Sequence, residues 1–243
     1  MLAYDLGTVR YLDAWRLQEA LATRVRAGEE PALLLVEHPH VFTIGRRGTT
    51  EHLLASCEEL RTLGAEVYRV DRGGDITYHG PGQLVAYPIL SLDALGGDLV
   101  AYVRALEAAV IATAAAFGLD AERLAGKTGV WVVSPLPTKL AAIGVRVSRG
   151  VTTHGLALNV RTELSWFERM IPCGFPHQAT SFARLGVHTS VDAVKPVLVG
   201  ALADALGMPI VVGGSLERPR DDEIPIGAPV RGAVDLLREA VPA

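Results

Sequence analysis

The sequence predicts an α/β or α+β fold in which helices flank a mixed sheet. Three observations point there. Short apolar and β-branched runs, such as residues 32–36, 41–44 and 84–90, mix with longer segments of helical period, without the strict alternation of a parallel βαβ sheet. The 243 residues are 49% hydrophobic and 21% charged, a balance that supports a sizeable core. No solenoid-period repeat or low-complexity tract interrupts the pattern.

Taken in order, residues 9–27 carry Leu12, Trp15, Leu21 and Val25 at helical spacing, with Gly28 as a fitting stop. Residues 32–36 form an apolar run before His38-Pro39 and read as a buried strand; residues 41–44 read as a second, closed by Gly45. A helix is expected over 51–63, with Thr50 as N-cap and Gly64 past its end. Residues 66–71 read as a strand leading into a Gly-rich loop, and 84–90 as another strand. Asp98 caps a long Ala-rich helix that Gly118 stops. This most apolar stretch holds Arg104 and Glu107, which are too costly for a lipid-facing span, so it reads as a buried or half-buried core helix. Residues 129–133, 140–147 and 151–160 are strand-like, with a turn at Ser148-Arg149-Gly150. A last helix spans 191–206, with Pro196 in its first turns and Gly207 after it. One catalytic domain over residues 1–213 is expected, with a small C-terminal subdomain from about Ile171. Residues 214–243, which contain Arg218-Pro219-Arg220, read as a loosely attached tail with a short terminal helix.

Charge and cysteine usage narrow the function. A formal net charge of −4 disfavours a nucleic-acid binder. Two cysteines, Cys57 and Cys173, do not make a disulfide scaffold and fit a reducing compartment. The opening MLAYDLGTVRYLD lacks a basic region followed by an apolar run, so it does not read as a signal peptide. The expected location is cytoplasmic, with neither nucleic acid nor membrane as partner. His38 and His40 form a weak metal pair, since Pro39 separates them and no third ligand is near; no metal is expected.

Three segments use residues that folding alone would not choose. The first is Arg72-Gly73-Gly74-Asp75-Ile76-Thr77-Tyr78-His79-Gly80-Pro81-Gly82-Gln83, whose four glycines let backbone approach a ligand and expose N–H groups. The second runs from Thr138 to Arg146, where Lys139 enters an apolar strand. It is either a surface lysine at a strand edge or a partly desolvated one, whose lowered pKa suits a general base. The third is Met170-Ile171-Pro172-Cys173-Gly174. Cys173 sits on a loop, and a buried inert thiol and a reactive one are both open readings. Cys57, in an amphipathic helix, reads as inert. His177 follows Cys173 closely, but Cys–His dyads are seldom assembled from sequence neighbours.

Together these segments resemble the octanoyltransferases of lipoate biosynthesis, from about Leu2 to Leu206. The resemblance rests on Glu37-His38-Pro39, FTIGR at 42–46, RGGDITYHGPGQLVAYPI at 72–89, KLAAIGVRV at 139–147, THGLALNV at 153–160 and IPCG at 171–174. It implies a fold similar to biotin and lipoate protein ligase catalytic domains. It also implies that Cys173 carries the acyl group as a thioester and that Lys139 lowers its pKa. The substrate contacts it implies are Arg72, Gly73, Gly74, Asp75, Ile76, Thr77, Tyr78, His79, Ala142, Ile143, Gly144, Gly155, Leu156 and Ala157.

The implied reaction moves octanoyl from acyl carrier protein to a lysine of a lipoyl domain, with lipoyl domains of 2-oxoacid dehydrogenase complexes and the glycine cleavage H protein as acceptors. No cofactor is expected, because phosphopantetheine arrives on the donor. An apolar tunnel burying about six methylenes would contribute roughly 5 kcal/mol. Gly80 or Gly174 are candidate oxyanion donors. Arg46, Arg47, Arg69, Arg146 and Arg149 are candidates for docking the acidic carrier. The alternatives are an ATP-dependent lipoate- or biotin-type ligase, a non-catalytic acyl-carrier-binding protein and, more distantly, a Cys–His hydrolase.

Overall fold

The computed structural model describes residues 1–133, 136–171, 178–213 and 216, and only the backbone of Cys57. The expectations for Cys173, Gly174, His177, the Cys57 side chain and nearly all of the tail lie outside these residues.

Strand β1 (Leu2–Thr8) leads into helix α1 (Tyr11–Arg26), then β2 (Ala32–Glu37) and β3 (Val41–Ile44). Helix α2 (Cys57–Thr62), β4 (Glu66–Arg69), β5 (Ile76–His79) and β6 (Gln83–Ile89) follow. Helix α3 (Leu99–Ala116) precedes β7 (Glu122–Leu124), β8 (Lys127–Val132), β9 (Thr138–Ser148) and β10 (Val151–Asn159), and α4 (Val191–Leu206) precedes β11 (Val211–Val212). Among the described residues eight strands form a mixed sheet in the order β11-β1-β2-β6-β10-β9-β8-β7, and β4-β3-β5 form a smaller one.

The large sheet is covered on both faces. All seven residues of β6 are buried. Leu84 and Ala86 pack with Leu106 and Val110 of α3 and with Leu198 and Leu202 of α4, while Val85 and Tyr87 pack with Leu17 and Leu21 of α1. A strand buried on both faces loses the apolar–polar alternation of a half-solvated one, which is why these segments read as continuous apolar runs. Asp98 caps α3 by accepting the Val100 and Ala101 N–H groups. Helix α3 is long and apolar enough to cross a membrane, but one face lies in the core it shares with α4. Its Glu107 is fully buried and is held by Arg104 at 2.6 Å and Arg123 at 3.0 Å.

Several expectations are corrected. The helix over 51–63 is broken into a 3-10 turn (Thr50–His52) and α2. Thr49, not Thr50, caps the first piece, and Ser56 caps the second. The break has a tertiary cause: the Leu54 N–H donates to the Arg169 carbonyl at 2.8 Å instead of continuing a helix. The 72–83 segment contains a strand, β5, paired antiparallel to β3. Strands β1 and β7 also went unread. In β1 only Ala3 is buried, and β7 has just three residues, so neither carries a strong pattern.

Candidate active site

The Gly-rich loop after β4 is fastened over the large sheet. The Arg72 guanidinium donates to the Thr43 carbonyl at 2.6 Å and to its hydroxyl at 2.9 Å, and the Gly73 N–H donates to the Val145 carbonyl at 2.9 Å. These contacts require glycine. A Cβ on Gly45 would sit 2.5 Å from the Gly74 carbonyl oxygen, and one on Gly144 would sit 3.0 Å from that of Gly73. Gly74 itself has φ +90, where side chains are strained.

Loop and sheet enclose a cavity of about 670 Å³. The stretches 72–77, 142–144 and 155–157 line it, as do His79 and Lys139. Tyr78 does not. Strand alternation turns its ring to the other face of β5, into a core with Phe42 and Trp166, with its hydroxyl 2.7 Å from His40 Nδ1. Gly80 does not line the cavity either.

Lys139 opens the long strand β9. Its ammonium lies 4.6 Å from the centre of the buried Trp131 indole, within cation–π range. Its backbone pairs with the chain just after residue 177: the Lys139 N–H donates to Gln178 O and the Thr180 N–H donates to Lys139 O, both at 2.9 Å. On the other side of the same segment, the Ile171 N–H donates to His52 O at 2.8 Å, and His52 Nδ1 lies 2.6 Å from Asp75 Oδ2. Met170 and Ala179, which flank residues 171–178, both line the cavity.

The sequence did not identify the cavity's buried wall, formed by Tyr11, Gln83, Tyr87, His154 and Asn159. It comes from α1, β6 and β10: Gln83, Tyr87, His154 and Asn159 fall within the quoted motifs, but nothing in the sequence joins them to one another or to Tyr11. His154 has φ +59 in the middle of a strand. Opposite it β6 presents Pro88, which has no N–H to complete the ladder. The His154 N–H instead donates to Gln18 of α1 at 2.7 Å, and the Pro88 carbonyl accepts from the Thr152 hydroxyl at 2.9 Å. Histidine is among the residue types that tolerate this conformation. It carries the imidazole to the α1 side, where Nε2 lies 2.8 Å from Asp71.

Burial holds the imidazoles of this wall, and of His38 against His79, neutral. His38 is pushed down to about 4 by burial, against the raising effect of its bond to Val9. His79 is pushed well below its ordinary value by burial, aided by His38 and Arg72. Burial also lowers His154, with Asp71 opposing it. Burial raises Asp71, but the His154 hydrogen bond and the Arg146 guanidinium outweigh it, leaving Asp71 below the usual range. His38 is committed to Val9 and Tyr87, and His40 to Tyr78, so the two do not converge as a metal pair. Of the docking candidates, Arg146 is tied to Asp71 and Glu19, and Arg69 donates to Gly48 O at 3.2 Å. Arg46, Arg47 and Arg149 are exposed, and Arg47 reaches the cavity.

Residues 10–203 match the model of the lipoyl protein ligase A/B catalytic domain. The chain belongs to this family. It is 47% identical over 213 residues to an octanoyltransferase from Solibacter usitatus, covering 87% of this chain and 96% of that one. It is 44% identical over 209 residues to an octanoyltransferase from Gloeobacter violaceus, covering 85% and 90%. These relatives identify it as an acyltransferase. Among solved structures, lipoate-protein ligase A bound with ATP superposes with a TM-score of 0.76 at 19% identity, covering 89% of this chain and 90% of that one. A putative lipoate protein ligase from T. acidophilum with bound lipoic acid gives 0.71 at 20%, again covering 89% and 90%. At these identities the likeness is one of fold, and it agrees with the mixed sheet and flanking helices predicted from sequence.

Proposed function

We propose that this acyltransferase moves an octanoyl group from acyl carrier protein to a lysine of a lipoyl domain, through a thioester on Cys173. One observation carries the reading. Lys139 and both flanks of the segment that holds Cys173 line the same cavity as the expected acyl-contacting stretches.

The steps balance without an external energy source. Neutral Lys139 takes the Cys173 thiol proton, and the thiolate attacks the carrier's thioester carbonyl. The carrier's phosphopantetheine sulfur leaves and recovers a proton from the Lys139 ammonium. A thiol alone, with a pKa of roughly 8.5, is mostly protonated at neutral pH, so this base is what makes it a nucleophile. The lysine amine of the lipoyl domain then attacks the Cys173 thioester. Lys139 takes the amine proton and returns it to the departing Cys173 sulfur. The Trp131 face beside Lys139 stabilises the cationic form that appears at each stage. Thioester-to-thioester exchange is nearly isoenergetic, and thioester to amide is downhill, so ATP has no role. The names of the relatives support octanoyl as the group transferred. Two cysteines and the absence of a disulfide pattern favour the cytoplasm as the compartment.

The test is transfer itself. Octanoyl-acyl carrier protein, a purified lipoyl domain and this protein are mixed without ATP, and the lipoyl domain is weighed by intact mass spectrometry. The reading predicts one added octanoyl group on the acceptor lysine. An acceptor modified only from free octanoate and ATP would instead make the protein a ligase.

A further inference from the structure

The buried wall of the cavity has an uneven distribution of hydrogen-bonding capacity. His79 and His154 of this wall, and His38 against His79, are 6%, 1% and 0% exposed, so a ring nitrogen that does not face the cavity needs a partner inside the protein. His38 Nδ1 lies 2.7 Å from the Val9 carbonyl, which only accepts. Nδ1 therefore carries the proton, and Nε2 accepts from the Tyr87 hydroxyl at 2.8 Å. His154 Nε2 donates to the Asp71 carboxylate at 2.8 Å, which leaves Nδ1 to accept from the Tyr11 hydroxyl at 3.4 Å.

The tautomer of His79 is fixed from further away. The Asn159 amide donates to Thr180 O at 3.0 Å, and the Gln83 amide donates to Tyr78 O at 3.2 Å and to Asn159 Oδ1 at 2.9 Å. Backbone carbonyls at both ends orient the chain, so Gln83 Oε1 accepts from His79 Nδ1–H at 2.8 Å. His79 Nε2 is left as a lone pair that meets no donor among the described residues, on a side chain that lines the cavity.

This acceptor is on the buried side of the cavity. The lining residues around it, Tyr11, Tyr87 and His154, are 1%, 3% and 1% exposed, whereas Leu99, elsewhere on the lining, is 43% exposed. His79 also stacks on Tyr11, with ring centres 5.9 Å apart. A chain that ends in a methyl group against Nε2 strips the lone pair of solvent and gives nothing back.

We infer that His79 Nε2 is a donor-seeking subsite on the buried side of the acyl cavity, built to take the terminal hydroxyl of an ω-hydroxyacyl chain and to disfavour a methyl group in the same place. The inference rests on the acyl-transfer reading above. Shorter alkyl chains leave room for a water at Nε2. Longer ones displace that water, and the lost hydrogen bond sets an upper length.

Competition separates the possibilities. The protein is incubated with equimolar pairs of pantetheine thioesters with equal numbers of chain atoms, an n-alkanoyl and its ω-hydroxy counterpart, from six to twelve atoms. Acylated protein is digested and the two acyl peptides are counted by mass spectrometry. Over a window of lengths that reach His79, the hydroxy adduct should exceed the alkyl adduct by about three- to tenfold, the range one net hydrogen bond gives. In His79→Phe, which keeps a ring on Tyr11 and lacks the lone pair, the preference should pass to the alkyl chain. Alkyl preference or parity in the wild type at every length contradicts the inference while leaving acyl transfer intact. So does a hydroxyl preference that survives in His79→Phe. If neither donor yields an adduct, the acyl-transfer reading fails and takes this inference with it.

Discussion

Lys139 and the buried histidines make different demands on their surroundings, and each demand predicts a result. In the proposed mechanism Lys139 cycles between amine and ammonium next to Trp131. Lys139→Ala should slow acylation of the protein by on the order of 100-fold, the usual scale for a lost acid/base group, as followed by stopped-time mass spectrometry. The histidines must stay neutral. Their folded pKa values lie below the ordinary 6.5, so on acidification the unfolded chain takes up protons that the native chain refuses. Their contribution to stability is complete above about pH 7 and declines as pH falls from about 6.5 towards 4. His38 alone should cost about 2 kcal/mol at pH 5, at 1.36 kcal/mol per unit. The urea midpoint should therefore drop between pH 7.5 and pH 5, and an unchanged midpoint would contradict the burial argument. Gly155 makes a steric demand instead: a Cβ there would sit 2.1 Å from the Ala86 carbonyl oxygen in the adjacent strand. Gly155→Ala should cost about 2 kcal/mol and lower Tm by roughly 4–8 °C in a thermal melt.

At the scale of elements, the cavity wall formed by Gly126, Lys127 and Thr128 is held to α3 by Glu107, which accepts the Gly129 N–H at 3.0 Å as well as pairing with Arg104 and Arg123. Both arginines reach solvent, so removing the carboxylate chiefly orphans the Gly129 N–H. Glu107→Ala should destabilise by about 2 kcal/mol in chemical denaturation, and Glu107→Gln, which keeps an acceptor, by less. Elements whose ends are set locally were legible in the sequence. Helix α4 spans 191–206 as expected, stopped by Gly207 at φ +65. Elements set by distant partners were not. Residues 50–63 have helical composition, but the Arg169 carbonyl takes the Leu54 N–H and splits them. The same distinction governs the site. The Gly-rich loop announced itself because close chain packing needs glycine in series. Tyr11, Tyr87 and His154 reach the cavity from separate elements, joined by nothing a single segment can display.

For the whole molecule, the account joins a carrier-bound donor, a cavity lined by the Gly-rich loop and β9–β10, and an acceptor lysine on another protein. With a net charge of −4, the proposed acidic carrier would need local basic side chains to dock on, and Arg46, Arg47 and Arg149 are exposed. The likeness in fold to an ATP-bound ligase makes the energy source the sharpest distinction at this scale. The central claim is a covalent intermediate on Cys173, and intact mass spectrometry of the protein after exposure to octanoyl-acyl carrier protein without ATP tests it most directly. The account predicts one octanoyl adduct, absent in Cys173→Ser and discharged on adding a lipoyl domain. An adduct that persists in Cys173→Ser, or acyl transfer that strictly requires ATP, would contradict it.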